Sequence, residues 1–183
     1  ADLLGPQAGQ LLSWLESLRE RGLSKRLGVS IYDASELDGL PLERLQLIQL
    51  PLSLYNQRLL VDGTIDQLKS AGLAVHARSI LLQGLLLKPA DQWPSFLSPG
   101  IRQHHRQLIQ HLSRRGLSLQ DAAMAFASGC DSLEAVLVGV QSACELAELV
   151  DTWNNLGRVA MGPVSDWAWE ERQDLDPRFW PPR

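Results

Sequence analysis

The chain has 183 residues, of which 45% are hydrophobic and 21% are charged, and its formal net charge is -4. This length and composition are typical of a folded domain with one sizeable core, and they exclude an intrinsically disordered chain. Because lysine and arginine are scattered singly, the sequence predicts neither a nucleic-acid partner nor an anionic membrane surface. The expected partner is a small molecule or another protein.

The first predicted element is an amphipathic helix. Four leucines recur at helical spacing over residues 8–21, and Gly22 ends the helix as a C-cap. A short β-prone run, RLGVSIYD, follows, and then a brief helix, SELDGL, which Asp33 or Ser35 caps. A second buried-strand pattern, LQLIQLPLSLY, is broken by Pro51, which a strand tolerates only near its end or edge.

The remaining predicted elements continue this alternation. A helix-like segment, RLLVDGTIDQLKSAG, ends at Gly72, and the run LAVHARSILLQGLLL (73–87) is the third predicted strand. Its arginine, serine and glutamine are unexpected, because a polar group buried in a sheet costs free energy unless it is paired or faces a ligand. A proline-bearing excursion leads to the helical segments IRQHHRQLIQHLSRRG and SLQDAAMAFASG. The fourth strand, EAVLVGV, and a last helix, SACELAELVDTWNNLG, complete the series.

This alternation of strands and helices predicts an α/β fold with a parallel sheet. A dinucleotide-binding doubly wound sheet would need a glycine-rich turn after its first strand, and the sequence contains no GxGxxG. A (β/α)8 barrel needs no such turn, but it typically takes about 250 residues. Four strands therefore predict a parallel (β/α) half-barrel over residues 1–157. Residues 158–183 are interpreted as an irregular tail, rich in tryptophan and proline, that packs on the same domain.

Cysteine content and hydropathy indicate the cellular environment of the chain. Cys130 and Cys144 are too few for a disulfide framework and lack CxxC spacing, which predicts a reducing cytoplasmic environment. No apolar stretch reaches the length of a membrane span, so we expect no membrane partner.

Three histidines on one helical segment raise the question of a metal site. His104 and His111 share a face and His105 does not, and no carboxylate or cysteine completes a ligand set. We therefore predict no metal site and interpret the three as surface residues. His76, inside the third strand, is interpreted as a satisfied core residue.

Four stretches carry a resemblance to a known family: LGVSIYD (27–33), LQLIQLPLSLYNQR (45–58), GLAVHARSILLQGLLL (72–87) and LVGVQSACELAEL (137–149). In order, spacing and residue type they resemble strands five to eight of the TIM (β/α)8 barrel of the aldo-keto reductases. These enzymes transfer hydride between a nicotinamide cofactor and a carbonyl. The resemblance covers roughly residues 8–155, and it depends on four stretches in register rather than on one motif.

The resemblance implies a set of cofactor-binding residues: Ser30, Gln49, Arg78, Ser79, Leu81, Gln141, Ser142 and Glu148. Ser30 and Gln49 match residues that bind the nicotinamide carboxamide. Arg78 stands where the family usually has a tyrosine that stacks under the nicotinamide ring. A guanidinium can also stack, but its fixed charge favours an anionic partner. In the alternative, Arg78 pairs with a buried acid and serves the fold alone.

The other matches concern the phosphates and the adenosine. Residues 79 to 81 match the segment around the pyrophosphate, and Glu148 matches an acid on the adenine side. Gln141 and Ser142 match a basic residue and a serine that hold the 2′-phosphate of NADP. Because Gln141 is neutral and Glu145 stands where a second basic residue is common, the charge that such a phosphate needs is missing. The choice between NADP and NAD therefore stays open.

The family's catalytic Asp, Tyr, Lys and His lie on its first four strands, and no residue of this chain corresponds to them. The tyrosine is the general acid, so without it the carbonyl oxygen has no proton donor. Tyr32 and Tyr55 match noncatalytic positions. We expect the isolated chain to bind nicotinamide cofactor weakly or not at all and to reduce no carbonyl.

Two functions remain open. In the first, the chain is part of an aldo-keto reductase-like oxidoreductase for a small carbonyl substrate, and a missing N-terminal half supplies catalysis. In the second, it is a complete, noncatalytic binding or structural module that self-associates. Unpaired strand edges and an exposed apolar interior predict association with the missing half or with a second copy.

Overall fold

A computed structural model describes residues 2–156 and 164–182. It contains one sheet of four parallel strands, which confirms the predicted parallel α/β fold. The strands lie in the order in which they occur in the chain: β1 (Gly28–Ser30), β2 (Leu47–Pro51), β3 (Ala74–Arg78) and β4 (Ala135–Val136).

Seven α-helices occur in the described part of the chain: α1 (Ala8–Glu20), α2 (Arg58–Val61), α3 (Thr64–Ser70), α4 (Pro99–Ser113), α5 (Leu119–Ser128), α6 (Ala143–Asn154) and α7 (Arg172–Leu175). None of these helices combines the length and the apolar character that crossing a bilayer requires.

The strand register gives the sheet one buried face. Ile48 of β2 lies beside Val75 of β3, and Leu50 lies beside Ala77. Ile48 and Leu50 are completely inaccessible to solvent, because the helices cover this side. Successive side chains of a strand alternate between faces, so the apolar residues at every second position bury together. The core of the protein therefore lies between this face and the helices.

The opposite face of the sheet is not the exposed apolar interior that the sequence predicted. Register places Ser30 beside Gln49 and Gln49 beside His76, and Arg78 follows two positions later on the same face. His76 is consequently not a core residue. Its Nε2 lies 3.2 Å from the Glu134 carboxylate, and its side chain retains access to solvent. Polar side chains, bonded to one another, occupy this face.

Several predicted elements are shorter than the sequence indicated. The third strand ends at Arg78, and a 3-10 helical segment, Leu82–Leu87, replaces its second half. The predicted helix over 58–72 is interrupted at Gly63, whose φ of +81° separates α2 from α3. Only two residues of EAVLVGV form a strand.

The described part of the tail packs on the body, while residues 157–163 lie outside the described residues. Trp167, Trp169 and Trp180 are partly buried against the core. The Asp174 carboxylate anchors the tail, because it accepts hydrogen bonds from the Ser98 backbone N–H at 2.8 Å and from the Trp169 indole at 3.0 Å.

His105 is buried rather than exposed, which corrects the prediction of three surface histidines. Its Nε2–H donates to the Lys88 carbonyl at 2.8 Å, so its Nδ1 accepts from the Tyr55 hydroxyl at 2.7 Å. Burial lowers the pKa of His105 and raises the pKa of Tyr55. Both side chains are therefore neutral structural groups.

Candidate functional site

Arg78 is the centre of a polar cluster at the carboxyl end of β3. Its Nε donates to the Ser30 hydroxyl at 3.1 Å, and its Nη2 donates to the Ile31 carbonyl at 3.0 Å. Ser30 in turn donates to Gln49 Oε1 at 3.2 Å. The Arg78 guanidinium also lies 4.0 Å from the centre of the Tyr32 ring, within cation–π range. Arg78 thus ties the end of β1 to β3.

The alternative that Arg78 pairs with a buried acid is wrong for the described residues, where no carboxylate lies within 4.0 Å of its nitrogens. Its two neutral hydrogen-bond acceptors leave its positive charge uncompensated by a neighbour. An anion that approached this end of the sheet would therefore meet an unneutralised guanidinium.

An ionic network joins the tail to the loop after β1. Arg178 contacts three carboxylates: Asp176 at 2.8 Å, Glu36 at 2.8 Å and Asp33 at 3.1 Å. Asp33 also accepts from Arg58 at 2.9 Å and from Arg172. The Arg178 guanidinium lies 3.8 Å from the centre of the Tyr32 ring. The tail is therefore fastened beside the Arg78 cluster.

This network controls the ionisation of its acids. Burial alone would raise the pKa of Asp176, but hydrogen bonds from the Arg178 side chain and backbone and the nearby guanidinium charges lower it overall. The same balance lowers the pKa of Glu36, which also accepts from the Tyr32 backbone N–H. Both groups are ionised at neutral pH, so the network is fully charged there.

The loop after β3 has an unusual backbone. Ser79, Leu82 and Gln83 adopt positive φ angles of 62°, 48° and 57°. Non-glycine residues rarely occupy this region, and in clusters they are typical of binding loops whose surroundings hold the strain. This loop forms one wall of an open groove.

The groove has a volume of about 550 Å³ and lies between this loop and the segment after β4. Its size falls within the range of small-molecule and cofactor sites. Aliphatic side chains and backbone make up most of its lining, with Arg78 and Glu145 as its charged residues. The lining residues are Arg78, Ser79, Ile80, Leu81, Gln83, Gly84, Leu87, Leu137, Val138, Gly139, Val140, Gln141 and Glu145.

One end of the groove meets the start of α6. Ser142 is the N-cap of this helix and accepts from the Glu145 backbone N–H at 3.1 Å. The Glu145 carboxylate accepts from the Gln141 backbone N–H at 2.7 Å. A carboxylate of the chain itself thus occupies the position at which a helix N-terminus would otherwise attract an anion.

The structure brings most of the predicted site residues to one region. Four of them line the groove: Arg78, Ser79, Leu81 and Gln141. Ser30 and Gln49 lie behind Arg78 and are connected to it by hydrogen bonds, and Ser142 caps the adjoining helix. Glu148 does not line the groove. It is exposed one turn further along α6 and contacts Cys144 at 3.6 Å.

Sequence reasoning missed the contribution of the tail. Leu175, Asp176 and Pro177 line a small pocket together with Tyr32 and Arg78, and only about 10 Å³ remains inside it. The sequence signal is weak, because DLDPRFW contains charges of both signs but nothing that indicates their partners more than 130 residues away. No group of three or more metal-ligating side chains occurs among residues 2–156 and 164–182.

The fold of this chain is similar to that of several solved enzymes. An aldo-keto reductase from Bacillus halodurans in its apo form matches with a TM-score of 0.64 at 16% identity, over 89% of this chain and 59% of that chain. A thermostable aldo-keto reductase in complex with epalrestat matches with a TM-score of 0.58 at 17% identity, over 85% and 51%. A glycerol dehydrogenase from Gluconobacter oxydans matches with a TM-score of 0.51 at 18% identity, over 83% and 55%.

The predicted resemblance to the aldo-keto reductases is confirmed at the level of the fold. The chain spans only slightly more than half the length of these solved structures. No protein-family model and no curated protein matches the sequence.

Proposed function

We propose that this chain is the cofactor-side half of an aldo-keto reductase-like oxidoreductase, equivalent to strands five to eight of the barrel. One observation supports the proposal: four of the eight residues that the resemblance assigns to a dinucleotide, Arg78, Ser79, Leu81 and Gln141, line one groove. The carboxyl ends of parallel strands are where barrel enzymes build their sites. The substrate would be a small carbonyl compound, with hydride transferred from a nicotinamide cofactor.

Each assigned residue has a role in this proposal. Ser30 and Gln49 would bind the carboxamide, and the loop from Ser79 to Leu81, which begins at the left-handed Ser79, would surround the pyrophosphate. Arg78 would supply the positive charge that a diphosphate requires. Ser142 and Glu148 would lie toward the adenosine. The nicotinamide supplies the hydride when it is bound, and these residues bind and orient it.

The cofactor that fits the groove better is NAD. The Gln141 backbone N–H already donates a hydrogen bond to the Glu145 carboxylate. In the described part of the chain, no cation other than Arg78 lines the groove. A 2′-phosphate placed beside Gln141 and Ser142 would approach the Glu145 carboxylate, and like charges repel at that distance. NADP, the alternative, would need this glutamate to move away.

Titration with NADH and NADPH tests the proposal. We expect weak NADH binding, with a dissociation constant no tighter than about 100 µM, and NADPH binding about tenfold weaker, a difference of about 1.4 kcal/mol. Glu145→Lys should reverse this order, because it exchanges a repulsive charge for an attractive one. The matched control Asp151→Lys makes the same charge change on an exposed face of α6 outside the groove and should leave the order unchanged. Failure of both nucleotides to bind would contradict the assignment of the groove.

Carbonyl reduction by the 183-residue chain should be undetectable with any aldehyde and NADH. The proposed general acid lies outside this chain, and the buried Tyr55 donates to His105 rather than toward the groove. Turnover above the rate without protein would contradict the assignment of catalysis to the other half.

A noncatalytic binding module is the second candidate, and one observation favours it. The face of Arg78 that could stack on a nicotinamide is engaged by Tyr32, and the tail fills most of the adjoining pocket. In such a module the groove would still bind a ligand with an anionic group at Arg78, but no hydride would move.

A further inference from the structure

Arg78 lies between an open part and a closed part of the candidate site, and it lines both. The open part is the groove of about 550 Å³ that reaches the segment after β4. The closed part is the small pocket at the carboxyl ends of β1, β2 and β3, where residues 175–177 of the tail form one wall and only about 10 Å³ remains. Barrel sites extend over the carboxyl ends of several strands. The tail therefore closes the part of the site that lies over β1 and β2.

The Tyr32 side chain lies at the boundary between these two parts. The Arg78 guanidinium is 4.0 Å from the centre of its ring, and the Arg178 guanidinium of the tail is 3.8 Å from the same point. Both distances are within the range of cation–π contacts. The Tyr32 ring thus connects the tail directly to the charged group that lines the groove.

The backbone of Tyr32 is fastened to the tail as well. The Glu36 carboxylate accepts a hydrogen bond from the Tyr32 backbone N–H at 2.8 Å and pairs with Arg178 at 2.8 Å. The Asp176 carboxylate, which is only 1% exposed, pairs with the same guanidinium at 2.8 Å and so orients it. We call Tyr32, Glu36, Asp176 and Arg178 the tail latch.

The tail latch can open without unfolding the rest of the tail. The side chains of Arg178 and Glu36 are 39% and 35% exposed, and ion pairs at such exposure are individually weak because water screens them. The tail is anchored separately upstream, where Asp174 accepts hydrogen bonds from the Ser98 backbone N–H and the Trp169 indole. The contacts that hold Tyr32 are therefore the ones that a ligand can replace most easily.

We propose that the tail latch is an autoinhibitory contact, which holds the Tyr32 ring on Arg78 and so keeps a nicotinamide ring out of the site. This inference rests on the proposed function, because it takes the ligand of the groove to be a nicotinamide dinucleotide. The ADP-ribose part of that ligand needs only the open groove. The nicotinamide ring needs the closed part, so Tyr32 must leave Arg78 before the ring can bind.

The affinity for NADH then depends on how often the tail latch is open. A ligand that binds only one conformation loses apparent affinity in proportion to the population of that conformation. ADP-ribose is NADH without its nicotinamide and carries the same diphosphate, so it binds the open and the closed form alike. The ratio of the ADP-ribose dissociation constant to the NADH dissociation constant therefore reports on the tail latch alone.

This ratio, measured on the 183-residue chain by nuclear magnetic resonance titration with each ligand, tests the proposal. Tyr32→Leu should raise the ratio at least about fivefold, because no aromatic ring then remains on Arg78. Tyr32→Phe keeps the ring and loses only the hydroxyl, so its ratio should stay within about twofold of the wild-type value. A Tyr32→Leu ratio equal to or below the wild-type ratio would overturn the proposal.

Arg178→Met tests the tail side of the same contact. Without the guanidinium that fastens Tyr32, the ratio should rise about threefold. The lost positive charge acts on both ligands, since both carry a diphosphate, and it cancels in the ratio. Arg106→Met makes the same charge change at an exposed arginine outside the tail latch and should leave the ratio unchanged. Circular dichroism at the titration temperature checks that each variant is folded.

The two ligands also separate failure of the tail latch from failure of the proposed function. If ADP-ribose binds the wild type and every variant but the ratio is the same in Tyr32→Leu and Arg178→Met as in the wild type, the groove stands and the tail latch is excluded. If ADP-ribose binds none of them, the assignment of the groove to a dinucleotide is excluded, and the tail latch with it.

Discussion

The Gly28→Ala variant is expected to lose about 3 kcal/mol of unfolding free energy. This loss is at the upper end of the range for substitutions that overpack a site. A Cβ at this position would lie 2.3 Å from the Leu47 carbonyl oxygen and 2.8 Å from the Leu47 Cβ. Leu47 is the register partner of Gly28, so β1 must separate from β2 to admit even one methyl group. Urea denaturation followed by far-UV circular dichroism measures the loss.

Gly9→Ala is the matched control for this variant. Gly9 lies within α1, and a Cβ there would meet no atom within 4 Å. Alanine favours a helix over glycine, so this variant should gain about 0.5–1 kcal/mol instead. Equal stability of Gly28→Ala and the wild type would mean that β1 does not lie against β2 as described.

Arg178→Met is expected to cost about 2–3 kcal/mol of unfolding free energy. The substitution leaves the Asp176 carboxylate, which is only 1% exposed, without its closest cation. Removing one partner of a buried pair costs about 3–5 kcal/mol, but Arg178 is itself 39% exposed and Arg172 remains 3.5 Å from Asp176. The expected loss is therefore smaller than for a fully buried pair. Arg106→Met removes an exposed arginine whose side chain bonds only to Gln103 among the described residues, and it should change stability by less than about 0.5 kcal/mol.

The effect of Arg178→Met should depend on pH in a defined direction. The folded-state pKa of Asp176 is lower than its ordinary value of 3.8. Its contribution to stability is therefore present above that value and is lost as the pH falls through the lowered pKa. The stability difference between the wild type and the variant should therefore shrink as the pH falls below 3.8. A difference that does not shrink on acidification would show that the ion pair is not its source.

The order of strands could be predicted because aliphatic runs at short intervals have few alternatives. LQLIQL and LAVHA become β2 and β3, and their apolar positions form the buried face. The end of β3 could not be predicted, because the leucines after Arg78 fit a strand and a buried turn equally well. Only the backbone of Ser79, Leu82 and Gln83 decides between them.

Some parts of the candidate site can likewise be predicted from the sequence, and others cannot. Residues on strands or in the adjoining loops, such as Ser30, Gln49 and Arg78, can be assigned as candidates from the resemblance of four stretches. The ionic network of Arg172, Asp176 and Arg178 could not be predicted, because the sequence of a polar tail does not indicate which distant residues its charges contact. His105 had a readable signal: it shares an apolar helix face with Ile101, Leu108 and Leu112, all of them buried.

The most direct test of the central claim is the location at which NADH binds, measured from backbone amide chemical shifts of the 183-residue chain during titration. We expect shifts concentrated at Ser79, Leu81 and Gln141, at the start of α6 and at the ends of β1 and β3. The amides of α4 and of the helix face around His105 should stay unchanged. Saturable shifts confined to another surface, or no shifts at millimolar NADH, would contradict the claim that the carboxyl end of this parallel sheet forms a nucleotide site.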